Sequence, residues 1–261
     1  MGRRLPSTAV TTLDYAAHCD AAEAEILRLA DAVRGADPAT PVPTCPGWTL
    51  ADLVTHVGGV HRWAATIVAT QSASRVRRDE LELGIPDNPR ALADWLAAGA
   101  VPTAAAFRAA DPEAEVWSWG AVKRARFWPR RMVHETAVHR ADAELSLGRP
   151  FAVEPEVAAD GIDELLDNLP HAAYFAPQVE NLRGDGEAIA LVMPGVAAWR
   201  IELLPDRFSW SRSEGPAAVT VTAAPPDLLL VMYGRRQVSD EGVSVDGDNA
   251  LFDRWIANSA T

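Results

Sequence analysis

Residues 127–147, FWPRRMVHETAVHRADAELSL, decide the architecture of the N-terminal half of the chain. They predict a long helix, because Gly148 is a natural C-cap and Pro150 follows it. Glu135 and His139 lie four residues apart in this run. Since each residue of a helix advances by about 100°, the two side chains return to within roughly 40° of each other. A carboxylate and an imidazole placed in this way can form half of a metal site.

Three further helical runs precede this stretch. The first covers residues 8–33, the second begins at the N-cap Thr49 and continues to about residue 71, and the third covers residues 89–110. Asp52 lies three residues after Thr49, which is the spacing of a capping box. Four long helices joined by loops predict that residues 1–150 form an all-α four-helix bundle.

The hydrophobic period changes after residue 150. Short segments rich in Val, Ile, Trp and Phe, separated by Gly, Pro and Asp, are typical of strands. These segments are AIALVMPG (188–195), AAWRIELLPD (197–206), RFSWSRS (207–213) and AAVTVTA (217–223). Further helical runs are residues 156–169, 225–233 and 249–257. We therefore expect residues 151–261 to form a linker helix and a small α+β domain with an antiparallel sheet.

Charge and composition exclude several classes of protein. The 261 residues carry a formal charge of -12, so binding to nucleic acid or to an anionic membrane would meet net repulsion. The two cysteines, Cys19 and Cys45, do not make a disulfide framework, which favours a reducing cytoplasmic compartment. The basic N-terminus meets Pro6 and Asp14 before any apolar region forms, and no apolar stretch reaches the roughly 20 residues of a membrane span. We expect a soluble, unprocessed chain.

A third possible metal ligand, His56, lies far upstream in TLADLVTHVGGVHRWA. With Glu135 and His139 it would supply two imidazoles and one carboxylate, the set that catalytic zinc sites use when they keep a fourth position open. The same set also suits non-haem Fe(II). From the spacing alone, the Glu135–His139 pair is more often a surface pair without a ligand. Periodicity does not show whether two helices face each other.

The other histidines have weaker patterns. His134 lies about 140° from His139 around a helix and should point elsewhere, although a different register would make it the ligand. His61 lies about 140° from His56, and we expect it at most to line the pocket or to support a ligand. We expect His18 and His171 to be ordinary surface histidines.

Cys45 and a pair of arginines complete the candidates. Cys45 precedes Pro46 in TCPGW, which predicts a turn into the second helix; a nucleophilic role would need a base or a helix terminus near the sulfur. Arg235 and Arg236 follow Gly234 at the end of a helical run. There they could complement the helix dipole or hold a carboxylate through paired hydrogen bonds.

Two blocks of the sequence resemble one known family when they are taken together. PVPTCPGWTLADLVTHVGGVHRWA (41–64) and RRMVHETAVHRADAE (130–144) resemble the N-terminal domain of the mycothiol-dependent maleylpyruvate isomerase family, which belongs to the DinB-like group of metal-binding four-helix bundles. The segments DGIDELLDNLP, AAVTVTAAPPDLLLVMYGRR and NALFDRWIA resemble the C-terminal domain of that family, which is similar to sterol-carrier modules. The resemblance covers nearly the whole chain.

The resemblance implies a site and a chemistry. It implies that His56, Glu135 and His139 are ligands of a divalent metal, usually zinc, and that an arginine of the C-terminal domain assists catalysis, for which Arg235 is the best match and Arg236 the neighbouring alternative. It also implies mycothiol as a thiol cosubstrate that attacks an electrophilic small molecule. The outcome would be cis–trans isomerisation, as with maleylpyruvate, or transfer of the thiol to form a conjugate.

Two functions without a thiol remain open from the residues. A zinc hydrolase would attack an ester or amide with metal-bound water, but it needs a general base, and the chain has no HExxH motif to supply one. A non-catalytic module could hold a structural metal, but such sites normally have four protein ligands and are often rich in cysteine. The substrate, the metal and the oligomeric state are beyond the sequence.

Overall fold

The stretch that carries Glu135 folds as a long helix. The computed structural model describes residues 13–259, which form two units, 13–151 and 152–259. The α-helices of the first unit are α1 (Tyr15–Val33), α2 (Leu50–Ala69), α3 (Leu92–Ala98), α4 (Ala100–Arg108) and α5 (Phe127–Ser146). The start that the sequence predicts for the first helix, at residue 8, lies outside the described residues.

The end of α5 has the predicted cap. Gly148 adopts a φ of 67°, a left-handed conformation that costs a residue without a Cβ little. The backbone N–H of Gly148 donates to Leu145 O at 3.0 Å, and that of Arg149 donates to Glu144 O at 2.8 Å. These bonds satisfy carbonyls that the last turn of the helix would otherwise leave without partners.

The single helix predicted over residues 89–110 is wrong, and with it the count of four helices. The structure has a short 3-10 turn at Pro89–Ala91, then α3, then α4, so residues 13–151 contain five α-helices. The break lies at Gly99, where the guanidinium of Arg62 approaches so closely that an added Cβ would lie 2.8 Å from Nη1. Pro102 follows in the first turn of α4, where its missing N–H is tolerated, whereas inside a continuous helix it would remove a backbone hydrogen bond.

The core of the first unit holds its helices in fixed positions. The fully buried apolar side chains between α1, α2 and α3 include Ile26, Leu29, Leu53, Val57 and Leu96. Three indole rings, of Trp63, Trp117 and Trp128, pack on one another with centroids 5.1–6.1 Å apart and join α2 to α5 and to the loop before it. This packing fixes α2 beside α5, the two helices that carry the candidate metal ligands.

Residues 152–259, the second unit, contain three α-helices and a five-stranded sheet. The elements are α6 (Pro155–Asn168), β1 (Ala188–Met193), β2 (Ala197–Leu203), β3 (Phe208–Ser211), β4 (Val219–Ala223), α7 (Pro225–Met232), β5 (Val243–Gly247) and α8 (Asn249–Ser259). The strand order is β3-β2-β1-β4-β5. The core includes Ile189, Leu191, Val221 and Leu228, all fully buried.

The expectation of an antiparallel sheet is wrong at one strand pair. β1 pairs with β4 in parallel, with Ile189 opposite Val219, while the other pairs are antiparallel. After the β2–β3 hairpin the chain returns to the free edge of β1, and β4 runs in the same direction as β1. The turn signals along the sequence do not specify this return. The mixed sheet also contains β5, an edge strand that the sequence analysis does not predict, because only Val243 and Val245 alternate in it.

None of the helices within residues 13–259 combines the length and the apolar character that a membrane span requires.

Candidate functional site

His56 lies in the first half of α2, whose start is fixed by the predicted capping box. Thr49 Oγ1 accepts from the backbone N–H of Asp52 at 3.3 Å, and Asp52 Oδ2 accepts from the backbone N–H of Thr49 at 2.8 Å. These hydrogen bonds from Thr49 hold the pKa of Asp52 below its ordinary value. Leu53 and Val57 are buried in the core, and the His56 side chain lies on the flank of the helix with 30% of its surface exposed.

The structure brings His56, Glu135 and His139 together. One ligand atom from each residue lies within 4.8 Å of the other two. His56 Nε2 is 3.1 Å from Glu135 Oε1, and His139 Nε2 is 3.6 Å from the same oxygen. Two ligand atoms at about 2.1 Å from one tetrahedral zinc ion would be about 3.4 Å apart. The three side chains therefore have the donor types and spacing for a divalent cation with further positions open.

The Glu135 carboxylate is held in its ionised form. Burial raises the pKa of this carboxyl, but the Arg131 guanidinium beside it and hydrogen bonds with His139 and His56 outweigh burial and hold the pKa well below its ordinary value. Arg131 lies one turn before Glu135 on α5 and forms an ion pair with Oε2. The other oxygen, Oε1, is the one that faces the two histidines.

His139 is oriented by a residue that the sequence analysis does not name, Asp142. His139 Nδ1 donates to Asp142 Oδ2 at 2.9 Å, and the thiol of Cys45 donates to the same oxygen at 3.3 Å. Burial lowers the pKa of His139, but its hydrogen bonds with Asp142, Cys45 and Glu135 hold that pKa well above its ordinary value. Asp142 itself is fully buried. A carboxylate on Nδ1 leaves Nε2 as the nitrogen that can bind a metal.

Cys45 and Trp48 reach the site from the turn before α2. The sequence predicts this turn, and the structure has it: Cys45 N donates to Val42 O at 2.9 Å, Trp48 N donates to Cys45 O at 3.0 Å, and Gly47 has a φ of 85°. The indole of Trp48 lies against both histidines, with ring centroids 4.9 Å from His56 and 5.9 Å from His139. The turn thus contributes an aromatic wall and a thiol to the surroundings of the three candidate ligands.

The remaining histidines lie outside this group. His61 is buried on α2, where its Nε2 is 2.7 Å from Thr136 Oγ1, and burial lowers its pKa to about 3. His134 is 1% exposed and is not among the ligand atoms that converge with His56. The expectation that His18 is a surface residue is wrong, because His18 shares the inward face of α1 and is 6% exposed. His171 is exposed, as expected.

The two candidate arginines belong to the second unit, in the turn after α7. Arg235 is partly buried and its Nη1 donates to Tyr233 O at 2.8 Å. Arg236 forms an ion pair with Asp227, in the first turn of α7, and donates to Glu241 O. Arg236 therefore has a carboxylate of the chain itself as its partner.

Sequence reasoning misses Arg131, Asp142 and the approach of Cys45. Two of these have a signal in the sequence: Arg131 lies four residues before Glu135, and Asp142 lies three residues after His139, so both share a helix face with a candidate ligand. The approach of Cys45 to Asp142 has no signal in the sequence, because it depends on how the turn packs on α5.

Asp142→Asn is expected to weaken the binding of zinc about 10- to 100-fold, the usual cost of removing an outer partner of a metal-binding histidine. The amide cannot accept from His139 Nδ1 and Cys45 with the charge of a carboxylate. Competition with a chromogenic zinc chelator measures the affinity. Cys45→Ala, which removes only the second donor to Asp142, is the comparison and should have a smaller effect. Zinc affinity of Asp142→Asn equal to that of the unaltered chain would contradict the orienting role.

Comparison with known proteins gives one consistent family. Residues 19–144 match the model of the mycothiol maleylpyruvate isomerase N-terminal domain, and residues 156–254 match the C-terminal domain model of the same family (MDMPI). No curated protein sequence matches the chain.

Solved structures agree with the family match at the level of the fold. The crystal structure of the mycothiol-dependent maleylpyruvate isomerase matches with a TM-score of 0.60 and 18% identity, over 90% of this chain and 95% of that chain. A histidine-to-alanine mutant of that isomerase matches with a TM-score of 0.58 and 17% identity, over the same shares of the two chains. The resemblance read from the sequence blocks is therefore confirmed.

Proposed function

Because the chain belongs to the mycothiol maleylpyruvate isomerase family, a family of enzymes, we propose that His56, Glu135 and His139 hold a divalent metal, zinc in the first place, at which mycothiol attacks an electrophilic small molecule. The observation that supports this most is the convergence of the three ligand atoms within 4.8 Å, with His139 oriented by Asp142. Two histidines and one carboxylate are the donor set of an open catalytic site, whereas a closed structural site normally has four protein ligands.

The metal, when bound, would supply one chemical property: it lowers the pKa of a coordinated thiol from about 8.5, so that the nucleophilic thiolate is available at neutral pH. The residues of the chain supply the rest. Arg131 fixes one oxygen of Glu135 and leaves the other facing the histidines. Trp48 covers one side of the histidine pair and excludes water there.

The proposed reaction is addition of the thiolate to an activated cis double bond, rotation about the resulting single bond, and elimination that returns the thiol and releases the trans product. The alternative is a transfer in which the thiol stays attached to the product. Arg235 remains the proposed catalytic arginine of the second unit, because it is the best match in the family resemblance. The two cysteines are free, which agrees with the cytoplasmic compartment that we propose.

A screen of electrophiles with and without mycothiol tests the proposal. Turnover by the zinc-loaded chain is expected to require mycothiol, and mass spectrometry distinguishes an isomer, which has the mass of the substrate, from a conjugate, which has gained the thiol. His56→Ala is the matched variant and should be inactive under both conditions. Hydrolysis of esters or amides at the same rate without any thiol would show instead that the chain is a metal-dependent hydrolase.

A further inference from the structure

The loop between α2 and α3 lies across α2 next to His56. Gly59 makes this close approach possible, because a Cβ there would lie 2.8 Å from Arg78 Nη2 and 3.4 Å from Leu83 Cδ1. Gly58 leaves room for the ring of Trp95 on α3, which a Cβ at residue 58 would overlap. Two indole N–H groups fasten the loop, from Trp63 to Val76 O at 2.8 Å and from Trp95 to Leu83 O at 3.0 Å. The loop therefore has a defined position beside a candidate metal ligand.

Arg78, in this loop, contacts the backbone of that candidate ligand. Its Nη2 donates to the backbone carbonyl of His56 over a long distance of 3.4 Å, and a Cβ added at Gly59 would lie only 2.8 Å from the same nitrogen. The guanidinium is thus packed against the surface of α2 at His56 and Gly59, and it can reach this position because residue 59 has no side chain.

Arg78 has no carboxylate partner in the part of the chain that the structure describes. Its neighbour Arg77, which is 65% exposed, forms ion pairs with Asp79 and with Glu80, the latter at 3.0 Å. Arg78 is itself partly buried. A guanidinium has five N–H donors in a planar fork that matches a carboxylate, and here the backbone of the chain uses one of them.

We propose that Arg78 is a specificity residue of this chain, which binds a carboxylate of the electrophile that is attacked at the metal centre. The proposal rests on the proposed function, which places the reacting electrophile at His56, Glu135 and His139. It adds a specificity residue in the helical unit, on the flank of α2. The thiol supplies the nucleophile, and Arg78 selects and orients the carboxylate-bearing substrate that the thiol attacks.

Binding of succinate to the zinc-loaded full-length chain tests the proposal without any turnover, since a saturated dicarboxylate does not react with thiols. By calorimetric titration, Arg78→Gln is expected to raise the Kd for succinate about 10- to 100-fold, the range for losing a hydrogen bond to a charged group. Arg77→Gln, the adjacent control, should leave the Kd within about twofold. Succinamide, which has the same shape without charge, should bind the unaltered chain and Arg78→Gln equally.

Gly59→Ala is a second variant that keeps the guanidinium but displaces it. It should also weaken succinate binding, and alanine favours a helix over glycine, so the fold is retained. Equal succinate affinity for Arg78→Gln and the unaltered chain would overturn the proposal, as would loss of zinc from Arg78→Gln, which would assign Arg78 to the metal centre. If no electrophile turns over with mycothiol but succinate binding still depends on Arg78, the proposed function fails and the carboxylate site stands.

Discussion

Glu135→Ala and His139→Ala are expected to lose their divalent metal. The affinity for the metal should fall by more than the 10- to 100-fold that follows when an outer partner of a ligand is removed. Each variant leaves two of the three proposed ligands, and Glu135→Ala also removes the carboxylate that the Arg131 guanidinium faces. Metal content after dialysis, measured by inductively coupled plasma mass spectrometry, gives the result directly. The loss should not depend on the presence of mycothiol or of any substrate.

Two histidine variants serve as controls for this experiment. His171→Ala changes an exposed histidine and should keep full metal content. His134→Ala tests the alternative register of α5, because His134 is adjacent to Glu135 but is not part of the converging group. Metal loss from His134→Ala, together with full metal content in His139→Ala, would show that His134 is the ligand and that His139 is not. Full occupancy in both Glu135→Ala and His139→Ala would remove the metal site altogether.

Arg140→Met is expected to lower the free energy of unfolding by about 1.5–3 kcal/mol, the range for losing hydrogen bonds to a charged group, because Glu25 loses its buried partner and keeps the more exposed Arg28. Arg140 is 4% exposed and Glu25 is 1% exposed; Nε of the first is 2.8 Å from Oε2 of the second, and Glu144 adds a contact at 3.0 Å. The pair joins α1 to α5 one residue beyond His139. Urea denaturation followed by circular dichroism measures the change.

Arg34→Met is the matched control for this effect, since Arg34, the residue after α1, pairs with Asp94 of α3 at the surface, where the side chains are 53% and 76% exposed. Such a pair contributes about 0–1 kcal/mol. The double variant Glu25→Met with Arg140→Met should recover part of the loss, because it also removes the carboxylate that has lost its buried partner. A cost for Arg140→Met no larger than that for Arg34→Met would show that the buried pair has no special role in stability.

The helices that carry the candidate ligands could be predicted because their signals are local. Thr49 and Asp52 define the start of α2, and Gly148 defines the end of α5, within a few residues of chain. The spacing of Glu135 and His139 is a property of one helix. The approach of His56 depends on packing between helices, and only the family resemblance suggested it in advance.

The features that sequence reasoning missed depend on contacts between distant segments. At the break between α3 and α4, the guanidinium that packs on Gly99 belongs to Arg62, 37 residues earlier in the chain. The parallel pairing of β1 with β4 depends on where the chain returns after a hairpin. Cys45 reaches Asp142 across 97 positions. Neither periodicity nor capping patterns contain this kind of information.

The fastening of the 72–88 loop has a consequence for how such a protein can change its substrate. Both indole donors, Trp63 and Trp95, are outside the loop, and both acceptors are backbone carbonyls, of Val76 and Leu83. Main-chain carbonyls are available whatever side chains the loop carries. The side chains of the loop, Arg78 among them, can therefore change while these two hydrogen bonds and the candidate metal ligands on α2 and α5 are kept.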